Sequence, residues 1–184
     1  MVSAVQTQTL QQAAWEIAAA VPDPELPVLS IADLGILRAV EVGDAAGMPD
    51  AGGPGSAAGR PAVRVTITPT YSGCPAMDTI RGDVRAAFTA AGWPEPEIVT
   101  VLSPAWTSDW MSAAGRAKLE AFGIAPPSGR SGVRSGPVRL ALAVKCPHCQ
   151  SLHTRELARF GSTSCKALYV CTDCREPFDY FKVL

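Results

Sequence analysis

Apolar residues fall at helical spacing at Leu10, Ala13, Ala14, Ile17, Ala18 and Val21, and Pro22 stops the run, so the pattern predicts a helix over 10–21. The prolines of Asp23-Pro24-Glu25-Leu26-Pro27 force an extended or turning path through Ile31-Ala32-Asp33-Leu34-Gly35 into a strand over 36–42. Residues 43–61 are rich in Gly, Ala and Pro and poor in large apolar side chains, which reads as a long hairpin loop. Val63-Arg64-Val65-Thr66-Ile67-Thr68 alternates as a half-buried strand does and runs into Pro69-Thr70-Tyr71-Ser72-Gly73-Cys74-Pro75. A helix is expected next over 76–91, with Met77, Ile80, Val84, Ala87 and Phe88 on one face and Gly92 ending it. A short strand over 98–102 and a second helical stretch over 107–122, interrupted by Gly115, complete the set. Helix, strand, strand, helix, strand, helix is the order of a compact α+β domain with its sheet covered on one face.

Residues 126–137 are mostly Gly, Pro, Ser and Arg, a linker composition, so the expected division is a first domain over 1–125 and a second over 138–184. The tail offers strands over 138–144, 166–170 and 178–184 and an ambiguous segment over 154–160.

Charge narrows the function. With 16 Lys and Arg against 17 Asp and Glu, a net charge of -1, the chain lacks the basic surplus that coating a nucleic acid requires. Its 47% hydrophobic content supports a packed core, yet every apolar run is broken long before the roughly 20 residues of a membrane span. No basic and apolar leader precedes the first helix, so a reducing, cytoplasmic setting is expected, in which six cysteines are metal ligands or reactive thiols rather than disulfides.

Four of them form two Cys-x-x-Cys turns, Cys146 with Cys149 and Cys171 with Cys174. Two such turns complete a tetrahedral cage, and four thiolates leave no open position for a catalytic water, so a structural Zn2+ ribbon is expected. Iron in the same cage, a cluster, and a redox dithiol pair are the alternatives. Cys165, between the turns, is either a small buried residue or a fifth thiol close to the metal that passes on iron or a cluster. His148 and His153 are surplus to a filled cage and stay off the ligand list.

Cys74 stands at the start of the helix over 76–91, where the helix dipole and free amides favour a thiolate. Asp23 and Glu25, on a proline-stiffened loop, are carboxylates that could reach the same side of the domain; solvated loop charges would look alike in sequence. No histidine precedes His148, so a Cys-His hydrolase in the first domain has no base.

Asp23-Pro24-Glu25-Leu26-Pro27, Asp33-Leu34-Gly35 and the run from Thr66 to Pro75 resemble the metal-sulfur cluster biosynthesis domain of SufT-like assembly proteins. Cys146-Pro147-His148-Cys149, the run from Phe160 to Tyr169, the second Cys-x-x-Cys turn and Glu176-Pro177-Phe178-Asp179-Tyr180-Phe181-Lys182 resemble the PaaD family of the phenylacetyl-CoA epoxidase system. The resemblance spans both domains and departs from the family in the insertion over 43–61. It implies an accessory protein of aerobic phenylacetate degradation, acting with an oxygenase and a reductase or with iron-sulfur assembly proteins. The chain has neither the Glu-x-x-His pair of a di-iron site nor a Gly-x-Gly-x-x-Gly fingerprint, so a non-catalytic, maturation role is expected. On that reading Cys74, Asp23, Glu25 and Cys165 handle transient iron or an iron-sulfur cluster.

Overall fold

The computed structural model describes residues 4–44, 61–128 and 144–183. The chain forms two compact units, Met1–Trp106 and Thr107–Leu184.

The first unit runs α1 (Ala4–Ala19), β1 (Leu37–Asp44), β2 (Pro61–Ile67), α2 (Ala76–Ala90) and β3 (Glu97–Thr100). The strands order as β1-β2-β3; β1 and β2 are antiparallel, closing with Asp44 opposite Pro61, and β2 and β3 are parallel from Arg64 opposite Glu97 to Ile67 opposite Thr100. The hairpin read from sequence is thus present, while the interior of its long loop, 45–60, lies outside the described residues. A parallel pair needs a crossover, and α2 is that crossover.

Alternation makes the sheet amphipathic: Val63, Val65 and Ile67 are buried, whereas Arg64 and Thr66 are half-exposed, with Arg64 Nε donating to Glu97 at 2.7 Å across the parallel pair. Ala14 and Ala18 of α1 and Ile80, Val84 and Phe88 of α2 complete the core with Leu29, Ile31, Leu34 and Ile36. The α2 stop needs Gly92 at φ 74°, the left-handed angle that lets its amide reach Thr89 O and the Trp93 amide reach Phe88 O. Trp93 then meets the Phe88 ring edge-on, 6.2 Å between centroids.

In the second unit the helical stretch expected over 107–122 divides into a 3-10 turn, Ser108–Trp110, and α3, Ala113–Ala121. Met111 and Ser112 are extended, and Ser112 Oγ accepts the Gly115 amide at 2.8 Å, so the serine starts a new helix instead of continuing the old one. After α3 come β4 (Thr154–Ala158), β5 (Lys166–Cys171) and β6 (Pro177–Phe181), an antiparallel sheet in that order.

The first domain was expected to end at 125, but the compact units divide at Trp106, before α3. Backbone pairing gives the reason: the Ala125 amide donates to Asp179 O at 2.8 Å, the Phe181 amide donates to Ala125 O at 2.9 Å, and Ser128 bonds the Tyr180 hydroxyl. Residues 126–128 therefore bridge α3 to β6. The remainder of the expected linker, 129–137, and the strand expected over 138–144, apart from Val144, lie outside the described residues. Among the described residues no helix is long and apolar enough to cross a membrane.

Candidate metal centre and the Cys74 loop

Each Cys-x-x-Cys turn is closed by backbone. The Cys146 amide donates to Ser151 O at 2.9 Å and the Cys171 amide to Glu176 O at 3.0 Å, each five residues ahead, so both chains fold back under their sulfurs. The residue after the second cysteine must then be left-handed: Gln150 has φ 66° and Arg175 φ 65°. Glycine would adopt that angle at no steric cost, and neither position has it.

The turns sit at one end of the ribbon sheet and bring the four Sγ atoms within 4.8 Å of one another, with Cys146 and Cys174 at 3.8 Å and Cys149 and Cys171 at 3.5 Å. A disulfide needs about 2.05 Å, whereas thiolates on a tetrahedral zinc at about 2.3 Å stand some 3.8 Å apart. The donor set and spacing therefore fit a metal site. Cys146 and Cys171 are buried in the ribbon core with Ala125, Val144, Ala167, Phe178 and Tyr180, while Cys149 is exposed.

Without a cation, four clustered thiols cannot all ionise. The Cys174 amide, assisted by that of Asp173, points at Cys171 Sγ and lowers its pKa to about 7. The Glu176 amide likewise favours a Cys174 thiolate, yet burial and the thiols of Cys149, Cys171 and Cys146 push that group up to about 12. A bound cation offsets this repulsion, so loading and deprotonation are linked.

Cys165 had two readings in the sequence, a small buried residue or a fifth thiol close to the metal. The cage comprises only Cys146, Cys149, Cys171 and Cys174 among the described residues. Cys165 precedes β5, whereas Cys171 ends it, a strand run of about 20 Å. It is buried, with Thr163 Oγ1 3.0 Å from its sulfur. His153 is exposed and bonds Asp173; His148 lies edge-on to Phe178, 6.5 Å between centroids.

Around Cys74 the carboxylates of Glu25 and Asp23 are felt electrostatically, but the three donors do not form a ligand group within 4.8 Å among the described residues. Pro75 caps α2, the Ala76 amide and the Thr70 hydroxyl reach Cys74 Sγ, and the carboxylates of Glu25 and Asp23 lie close enough to act on it. The electrostatic outcome is the reverse of the thiolate expected. Burial is the largest influence and pushes the thiol above its ordinary value of 9.0; the Ala76 amide opposes this, and Glu25 and Asp23 add to it. Asp23 is itself buried, its Oδ1 accepting the amides of Glu25 at 3.0 Å and Leu26 at 2.8 Å, which fixes the turn that presents Glu25.

One element was not read from the sequence. Asp173, inside the second turn, bonds Ser151 and His153 in the chain leaving the first. Ser, His and Asp beside or within the turns were the available signal, but polar residues there are ordinary.

Residues 131–182 match the PaaD zinc beta ribbon domain, and residues 56–102 match the iron-sulfur cluster assembly protein family. An Escherichia coli protein provisionally named as the D component of 1,2-phenylacetyl-CoA epoxidase is 44% identical over 171 residues, covering 92% of this chain and 91% of its own. A crystal structure of a Bacillus anthracis domain of unknown function, DUF59, is similar in fold, with a TM-score of 0.50 and 24% identity, covering 64% of this chain and 97% of that one. The alignment with the Escherichia coli relative runs through both units of this chain and nearly the whole of the relative, and with the ribbon match it shows that the chain belongs to the PaaD family of phenylacetyl-CoA epoxidase components.

Proposed function

We propose that the protein assists iron or iron-sulfur maturation of the oxygenase or reductase of the phenylacetyl-CoA epoxidase system, as a non-catalytic accessory protein in the cytoplasm. The observation that supports the reading is the electrostatic influence of Glu25 and Asp23 on Cys74, the single cysteine of the first unit, although the three donor atoms are not all within 4.8 Å of one another. Thiolate and carboxylate together suit iron, a cation that accepts both soft and hard ligands.

The arrangement also suits handover rather than storage. Iron-sulfur clusters are commonly held by four cysteines, and this unit contains one and no histidine. Further ligands must come from outside it, which is what a donor or recipient protein supplies. The raised thiol keeps Cys74 protonated until a cation compensates the adjacent carboxylates, and binding then releases the proton. Cys165, buried behind Thr163, is the less accessible thiol for such an exchange.

In the ribbon, Cys146, Cys149, Cys171 and Cys174 would hold Zn2+, which supplies cross-linking rather than chemistry because four sulfurs fill its tetrahedron. Metal analysis of protein purified without oxygen tests this part. One zinc per chain and no colour is the expected result; iron with sulfide and visible charge-transfer absorption overturns it.

The maturation reading is tested by iron content. Oxygenase and reductase isolated from cells carrying Cys74→Ala should be iron-deficient while the ribbon keeps its metal; full iron occupancy overturns the reading. A docking module without metal transfer is the second reading, favoured by the commitment of Asp23 Oδ1 to two backbone amides, which is a structural use. It requires Cys74→Ala to be silent and ribbon truncation to abolish support of the oxygenase.

A further inference from the structure

Ser151 joins the metal cage to a set of hydrogen bonds outside it. Its amide donates to Cys149 Sγ, and its carbonyl accepts the Cys146 amide at 2.9 Å. Its hydroxyl donates to Asp173 Oδ2 and accepts the His153 amide at 3.0 Å. Asp173 also takes His153 Nδ1 at 3.1 Å, while the Thr172 amide and hydroxyl both donate to His153 O, at 2.8 and 2.9 Å. The exit of the first cysteine turn is thereby fastened to the body of the second by side chains that touch no sulfur.

This strap lies over the weak point of the cage. Cys146 and Cys171 are buried, but Cys149 is exposed, so a competing ligand reaches the ion at Cys149 first. Whether that sulfur leaves depends on the backbone behind it, and that backbone is Ser151. We propose that Asp173, acting through Ser151, is a positioning residue that keeps Cys149 on the ion and so sets the rate at which the ribbon releases its metal.

The strap is itself solvent-exposed, with side-chain exposures of 77% for His153 and 50% for Asp173. Hydrogen bonds and ion pairs in that setting contribute little to global stability. Outer partners of metal ligands, by contrast, typically change metal affinity by about 10- to 100-fold when removed. The two roles therefore separate: a positioning role speeds metal release by more than the modest fall in melting temperature that weaker metal binding itself brings, whereas simple loosening of the fold moves the two together.

The test uses the full chain loaded with zinc, with release followed in a colorimetric chelator under reducing, oxygen-free conditions. Asp173→Ala should release zinc about 10-fold faster or more. Ser151→Ala, which keeps the backbone amide and loses the hydroxyl, should do the same. Asp173→Asn, which retains an oxygen to accept from Ser151, should recover most of the slow release. Phe178→Leu in the ribbon core is the control for simple loosening. The proposal is overturned if Asp173→Ala and Ser151→Ala release zinc at the parental rate, or if Phe178→Leu speeds release equally while neither strap variant is faster than its own melting temperature accounts for. Should Asp173→Ala fail to fold, Ser151→Ala and Asp173→Asn decide the matter by the same rates.

Discussion

The two units of this chain use cysteine in opposite ways. The first holds a single thiol, Cys74, half-exposed at the start of α2, with carboxylates nearby and a pKa raised chiefly by burial. The second masses four sulfurs at one end of a small sheet, with backbone amides aimed at them and a Cys171 thiol lowered to about 7. Their cores differ in the same sense. The first unit buries Ile31, Leu34, Ile36, Val63, Val65, Ile67, Ile80, Val84 and Phe88, enough aliphatic side chains to hold a sheet and two helices. The ribbon cluster relies on Ala125, Val144, Ala167, Phe178 and Tyr180 plus two of the cysteines. A unit that folds by apolar burial can leave its thiol free for exchange, whereas a unit whose sulfurs are part of its core cannot.

The largest expected effect tests that division directly. Cys171→Ala, or removal of the metal by a chelator, should unfold the ribbon, because structural zinc contributes about 10 kcal/mol or more to small domains at neutral pH. The first unit should stay folded. Limited proteolysis followed by mass spectrometry distinguishes the two, and cleavage spread evenly over both units would break the comparison.

Next in size is the apolar core of the first unit. Phe88→Ala removes a fully buried ring and its edge contact with Trp93, at a cost of about 3–5 kcal/mol. Urea unfolding should show that loss with metal content per chain unchanged. A fall in bound metal would mean that the units are not energetically separate.

The legible parts of this molecule were those with a period or a spacing. Met77, Ile80, Val84 and Phe88 mark the buried face of α2, and its start and its stop at Gly92 follow from local chemistry. The same holds for alternation in β2 and for the two Cys-x-x-Cys turns. Less legible was whatever depends on pairing between distant segments. Residues 107–125 look like the end of the first domain until Ala125 is seen bonding Asp179 and Phe181, contacts that no local pattern encodes. Cys165 looks close to the cage along the chain, but β5 carries it to the opposite end of the sheet. For Cys74, position at the helix start was readable, while its protonation was not. Helix start and amide favour a thiolate, and the balance is decided by burial and by two carboxylates some fifty residues upstream.

That balance gives a pH prediction. A thiol raised above 9.0 is neutral in the native state where an unfolded thiol would already ionise, so its contribution to stability is complete below that pH and is lost as pH rises through the native value. Alkylation of Cys74 by iodoacetamide at pH 8 should accordingly be slower than that of an exposed free thiol. Glu25→Gln removes one of the upward influences and should speed alkylation, by less than about tenfold because burial, the larger cause, remains. An unchanged or slower rate would show that Glu25 does not act on the sulfur.

The smallest effects separate α3 from the metal with which it shares a unit. Ser108 and Ser112 flank the break in the 107–122 stretch and use their hydroxyls differently. Ser112 Oγ caps α3 by accepting the Gly115 amide at 2.8 Å, so Ser112→Ala should cost about 1 kcal/mol. Ser108 Oγ is fully buried and has no hydrogen-bond partner among the described residues, so in the native state it bears a desolvation cost without a compensating bond. Ser108→Ala should therefore leave stability unchanged or raise it by up to about 1 kcal/mol. The Ser108 carbonyl, which accepts Arg116 Nη2 at 2.6 Å, belongs to the backbone and survives the substitution. Opposite signs in chemical denaturation, with identical metal content, would show that this helix is stabilised by its own caps and packing and not by the sulfurs; a destabilising Ser108→Ala would reveal a partner for that hydroxyl.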